Sequence, residues 1–164
     1  MKTKGIYYDK GTLYKKPSMV ITASRCSGKC FAGHEDIKED ICPDIKYFFE
    51  RTEDIRDDKI VVAYTEDKRY KALVFAGLEP FDSFSEMLRL IKIFRGAGIE
   101  DDIVIYTGYE AEEIWSLLSM LSEISNVIVK LGRHLPNVKP GADPVLGVVL
   151  DSENQHGELL NNWS

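Results

Sequence analysis

The sequence has no apolar run approaching the ~18 residues that a membrane-spanning helix needs, and no internal repeat, low-complexity tract or long linker. It lacks an excess of positive charge. Lys and Arg number 21 against 27 Asp and Glu, a formal net charge of −6, which gives no bulk attraction for a phosphate backbone and argues against a general nucleic-acid binder. Behind Met1, the residues Lys2, Thr3, Lys4 and Gly5 do not form an apolar signal segment, so the expectation is a cytoplasmic protein without a membrane partner. Cysteine is scarce: there are three, and an odd number cannot pair off completely in disulfides. What is present suits one domain. A chain of 164 residues with 44% hydrophobic content can bury a real core, expected to span 1–164 with 1–17 as an N-terminal arm or hairpin and 151–164 as a polar tail.

Several short apolar runs rich in β-branched residues read as buried strands: residues 19–23, 60–64, 71–75, 103–106, 127–131 and 145–150. Between the later ones the pattern changes to helical spacing. Phe84, Met87, Leu88, Ile91 and Phe94 recur after Ser83, which with Glu86 has the spacing of a capping box, and Ile114, Leu117, Leu118 and Leu121 mark a second helix over 110–124. Residues 44–50 also have helical character, with Ile45, Phe48 and Phe49 on one face. From residue 71 the order strand, helix, strand, helix, strand predicts right-handed parallel crossovers. The expected architecture is α/β: a mostly parallel sheet curved into an incomplete barrel, since the chain is shorter than the ~200 residues or more of an eight-unit barrel.

In such folds the loops at the C-terminal ends of the parallel strands face one crevice. This rule brings Cys26 and Cys30, then Gly77, Leu78, Glu79 and Pro80, then Thr107, Gly108 and Tyr109, then Gly132, Arg133 and His134 to one rim. The clustering of Cys26, Cys30 and Cys42 favours a soft-metal site over incidental buried thiols. An iron-sulfur cluster needs several thiolates wrapped around one object; Gly28 permits a tight wrap, and Arg25 and Lys29 add positive charge. Zinc is the competing metal, with Cys26, Cys30, Cys42 and His34 as a Cys3His set. Taken singly, Gly77 and Pro80 read as turn punctuation, Thr107 as a residue near an N-cap, and His34 and His134 as loop residues.

The segments Cys26-Ser-Gly-Lys-Cys30, Ala76-Gly77-Leu78-Glu79-Pro80 and Tyr106-Thr107-Gly108-Tyr109, each behind a strand, resemble those of radical S-adenosylmethionine proteins, specifically the short activating component of anaerobic ribonucleotide reductase. The polar run Asp151, Ser152, Asn154 and Gln155 resembles the family's segment after the last strand. The resemblance covers roughly residues 18–155. It implies a [4Fe-4S] cluster on Cys26 and Cys30, S-adenosylmethionine chelating the open iron, methionine contacts from Gly77, Leu78, Glu79 and Pro80, and adenosine or ribose contacts around Thr107, Gly108 and Tyr109. It further implies a large glycyl-radical enzyme as partner and a reductant such as flavodoxin. The family's spacing is C-x3-C-x2-C, and here its third position is Gly33; the next cysteine, Cys42, follows Cys30 after 11 residues. Returning a loop of that length costs only about 1–2 kcal/mol more than a two-residue one, so Cys42 is the expected third ligand. The alternatives are a degenerate relative acting as a zinc-bound or metal-free interaction module, and a small electron-transfer protein.

Overall fold

The computed structural model describes residues 1–33, 36 and 38–162. Its main sheet has the strand order β3-β1-β2-β4-β5-β6-β9, formed by β1 (Lys2–Asp9), β2 (Ser18–Ala23), β3 (Glu53–Asp54), β4 (Ala72–Ala76), β5 (Asp102–Tyr106), β6 (Val127–Leu131) and β9 (His156–Leu159). The four central strands run parallel. The flanking pairs β1–β2, β1–β3 and β6–β9 are antiparallel, so the α/β class holds but the sheet is mixed rather than mostly parallel. The physical reason lies in the connections: β1 leads into β2, and β6 into β9, without the helical crossover that parallel neighbours require, and β3 lies at the edge against the reversed β1. Thus residues 1–17, expected to precede the core, supply β1, and the polar tail supplies β9.

The helices α2 (Asp57–Glu66), α3 (Phe84–Gly96) and α4 (Trp115–Ser122) cover one face of the sheet; α1 (Lys38–Ile41) lies in the loop after β2. Side chains alternate along each strand. Met19, Ile21, Leu73, Phe75, Ile103, Ile105, Val127, Val129 and Leu131 pack with Ile60, Met87, Leu90, Ile91, Phe94, Leu118 and Leu121 from the helices. The intervening residues Val20, Ala72, Val74, Ala76, Val104 and Ile128 meet Tyr14, Leu146 and Leu150 instead. That second cover is a loop and a two-stranded hairpin, β7 (Gly141–Asp143) with β8 (Val148–Leu150), where a single strand over 145–150 was expected.

Residues 60–64 are helical, against the expected strand. Ile60 and Tyr64 are buried while Val62 is half exposed, which is the one-face burial of a helix; Asp57 and Asp58 in its first turn favour that helix electrostatically. The β-branched run misled because propensity is weak beside such a pattern. Ser83 precedes α3 as expected but makes no capping hydrogen bond, and Glu86 accepts from the Lys2 N–H at 2.7 Å instead. The reciprocal capping box joins Glu110 and Glu113, ahead of α4. Residues 45–49 form a 3₁₀ helix with no buried residue, and Phe49 is 80% exposed. No helix among the described residues is long and apolar enough to cross a membrane.

Candidate metal centre

The C-terminal ends of β2, β4, β5 and β6 converge on a pocket of about 90 Å³, lined by Cys26, Cys30, Cys42, Gly77, Leu78, Glu79, Thr107 and Gly108 among the expected residues. Pro80 and Tyr109 do not line it. Pro80 is buried at the start of a 3₁₀ turn, and Tyr109, 7% exposed, stands behind the wall, beside a smaller cavity shared with Cys26, Cys30 and Glu79.

Glu79 ties two strand ends together. Its Oε1 accepts from the Phe81 N–H at 3.1 Å and the Thr107 hydroxyl at 2.8 Å, and its Oε2 accepts from the Gly108 N–H at 2.9 Å. Burial pushes its carboxyl up to about 7, against the lowering effect of those donors. Its own N–H donates to the Arg25 carbonyl at 2.9 Å, holding the cysteine loop to the end of β4. Two glycines are required here by close approach. A Cβ on Gly77, at φ 67°, would lie 2.5 Å from Thr22 Cγ2, and one on Gly108 would lie 3.0 Å from Cys30 Sγ. Leu78 occupies the left-handed region too, at φ 28°, which costs a branched L-residue roughly 1–2 kcal/mol.

A latch positions the first cysteines. The Ser27 N–H donates to Asp82 Oδ2 at 2.6 Å, and the Tyr109 hydroxyl donates to Asp82 Oδ1 at 2.7 Å. Lys29 Nζ lies 4.7 Å above the Tyr109 ring. Gly28, at φ 71°, turns the chain into the 3₁₀ helix Lys29–Phe31, and its N–H donates to Cys26 Sγ at 3.3 Å. Cys42 follows α1, with its N–H bonded to the Lys38 carbonyl at 2.8 Å. Gly33 is exposed and does not line the pocket; Cys42 takes the third place on it.

All three cysteines are free and partly buried. Burial pushes the Cys26 thiol up to about 12 and raises those of Cys30 and Cys42, so the sulfurs are neutral in the absence of a metal that displaces their protons. Among the described residues no three His, Cys, Asp or Glu side chains gather closely enough to hold a single metal ion. Thiolates spaced around a pocket suit a cluster, whose irons are each held by a different cysteine, better than they suit one zinc ion at a point. His34, the fourth member of the possible zinc set, lies outside the described residues.

Two polar pocket residues, Lys130 and Asp44, escaped the sequence reading, and a third, Gln155, entered it only within the polar run after the last strand. Lys130, 6% exposed, donates to the Gly132 carbonyl at 2.8 Å and the Thr107 carbonyl at 3.3 Å. Burial pulls its ammonium down to about 8, while the charges of Glu79, Cys30, Asp151 and Asp44 oppose that shift. The available signal was a lysine inside the apolar run 127–131, on the face opposite the helices. Asp44 lines the same pocket with its carboxyl raised by burial, and Gln155 donates to the Gly132 carbonyl at 3.3 Å. Of the anticipated Gly132–His134 group, Arg133 forms a two-bond pair with Glu113, and His134 reaches the pocket with a buried Nδ1 that has no partner among the described residues. Asn154 holds this turn by donating to the Arg133 carbonyl at 2.9 Å.

Residues 19–138 match the family model described as 4Fe-4S single cluster domain. No curated protein and no solved structure gives a match.

Proposed function

The chain belongs to the 4Fe-4S single cluster domain family, a domain of the radical S-adenosylmethionine type, and on that premise we propose that it is an activase acting on a glycine of a large partner enzyme, anaerobic ribonucleotide reductase being the partner the sequence resemblance points to. The observation that carries this reading is the meeting of Cys26, Cys30 and Cys42 on one pocket with the ends of β4 and β5. In this reading the sheet curves around the site as an incomplete barrel, the protein works in the cytoplasm, and a reductant such as flavodoxin supplies electrons.

Cys26, Cys30 and Cys42 would hold the cluster, leaving one iron for the amino and carboxylate groups of S-adenosylmethionine. When bound, the cluster supplies the electron that splits the sulfonium into methionine and a 5′-deoxyadenosyl radical, which takes a hydrogen atom from the partner's glycine. The residues around it bind and orient. Arg133 and, from a buried position, Lys130 favour the thiolate form of Cys30. Glu79 fixes the ends of β4 and β5 at one separation, and the backbone of Gly77 and Gly108 gives the close approach that side chains would block. Thr107 and Gly108 form the wall suited to the adenosine or ribose, with Tyr109 bracing it from behind. Asp82 and Tyr109 hold the loop that presents Cys26 and Cys30.

The test is anaerobic reconstitution with iron and sulfide, followed by iron counting and low-temperature electron paramagnetic resonance of the reduced protein with and without S-adenosylmethionine. About four irons per chain, as a cubane requires, a signal altered by S-adenosylmethionine, and loss of both in Cys42→Ala are expected. A cluster whose signal ignores S-adenosylmethionine would make this an electron-transfer protein. Failure to form any cluster would leave a metal-free or zinc-bound interaction module.

A further inference from the structure

Among the described residues only Leu78 and Asn126 combine a side chain with a clearly positive φ. Asparagine tolerates that region because its short polar side chain bonds locally; leucine has no such compensation. Strain of this kind persists where the surroundings over-determine the backbone, and here they do so from both sides. Gly77 is pressed against Thr22, as the 2.5 Å approach of a Cβ there shows. Glu79 is fixed by its N–H on the Arg25 carbonyl and by three donors on its carboxylate. A glycine between them would carry no strain, yet the position holds a leucine, and that residue lines the pocket.

We infer that Leu78 is a specificity-determining residue, a fixed aliphatic stop against the carbon substituents of a sulfonium ligand. The inference rests on the reading of the pocket as a site for S-adenosylmethionine. Of the residues that this strand end and the next bring to the pocket, Leu78 is the aliphatic one, beside the polar Glu79 and Thr107, while Ile41 and Pro43 line it from the cysteine loop; a methyl group or a methylene chain of a ligand calls for such an aliphatic contact. Leu78 supplies that contact, and because its backbone is held on both sides it cannot retreat to admit a larger substituent.

Two variants, Leu78→Ala and Leu78→Gly, separate the strain from the stop. At an ordinary loop position alanine is the more stabilising of the pair, because glycine gains more freedom on unfolding; at positive φ the order reverses. Thermal unfolding of the full-length cluster-free chain is expected to place Leu78→Gly about 2–4 °C above Leu78→Ala. Equilibrium binding to the reconstituted protein is then measured with S-adenosylmethionine and its S-ethyl analogue. The unaltered protein is expected to prefer the S-methyl compound by about tenfold, the scale of one methylene in a fitted pocket. Both variants are expected to lose most of that preference, whichever melts higher. Leu78→Ala melting above Leu78→Gly, or an unchanged preference in the variants, overturns the assignment of Leu78 alone. If the unaltered protein assembles its cluster but binds neither compound, the functional reading fails and the inference goes with it.

Discussion

On the strand-end side of the pocket, Glu79, Thr107 and Lys130 are 5%, 2% and 6% exposed, and each is hydrogen-bonded to a neighbouring strand end or turn. Across from them, residues 24–52 bury only Gly28 among the described residues, and neither α1 nor the 3₁₀ turns of that loop contain a buried residue. One side is preorganised by the sheet. The other is held at a few points, chiefly Asp82 and the Arg25 carbonyl, and buries too little apolar surface to fix itself. The contrast points to a division of labour: the sheet supplies a ready-made wall, while under the proposed function the segment that carries the cysteines would take much of its order from the cluster it binds.

The largest effect should come from damaging the wall's foundation. Ile105, fully buried in β5, underlies the strand end at Thr107; Ile105→Ala should lower global stability by about 2–5 kcal/mol, measured by urea unfolding. A loss below 1 kcal/mol would mean that the sheet is not the rigid partner. A smaller and local effect is expected from Asp82→Ala, which removes the acceptors of Ser27 and Tyr109. Loss of these bonds, worth about 1 kcal/mol net, should speed tryptic cleavage after the exposed Arg25 and Lys29 roughly fivefold in the cluster-free protein, with little change in the urea midpoint. Equal changes in both would break the distinction between wall and loop.

The smallest effect tests the outer edge of the fold, where the N-terminus meets α2. Burial raises the Asp57 carboxyl, but hydrogen bonds from Arg89 and the N-terminal ammonium outweigh it and hold the group below its ordinary range. The unfolded chain therefore binds more protons in acid, so the stabilisation is present above pH about 4 and is lost as pH falls through the lower folded value. Arg89 is 54% exposed, which keeps the contribution below about 1 kcal/mol. Asp57→Asn should flatten that part of the acid unfolding curve and leave loop cleavage unchanged.

The same contrast governs what could be read in advance. Strands β4, β5 and β6 were legible because strands covered on both faces are continuous apolar runs, and α3 because its apolar residues recur at helical spacing. Strand β9 was not: His156, Gly157, Glu158 and Leu159 join the sheet through backbone pairing to β6, which composition does not record. The hairpin of β7 and β8 was hidden for a related reason, since its turn divides one apolar stretch. In the site, the cysteines and the residues of the Gly77 and Thr107 turns were legible from spacing after strands. Lys130 and Asp44 reach the same pocket from segments far apart in sequence, and only the sheet order joins them. The latch of Ser27, Asp82 and Tyr109 joins three loops in the same way.

The alternation along β6 constrains how this molecule can change length. Val129 and Leu131 point into the helical layer, while Ile128 packs on the other face and Lys130 reaches the pocket from it. Inserting or deleting one residue in this strand would exchange the two sets, sending an ammonium group among Leu118 and Leu121 and two aliphatic side chains toward the cysteines. A substitution in β6 alters one side chain, but a shift of one residue alters the facing of them all. Growth and shrinkage of the chain are easier in a loop such as 135–140, which pairs with no strand.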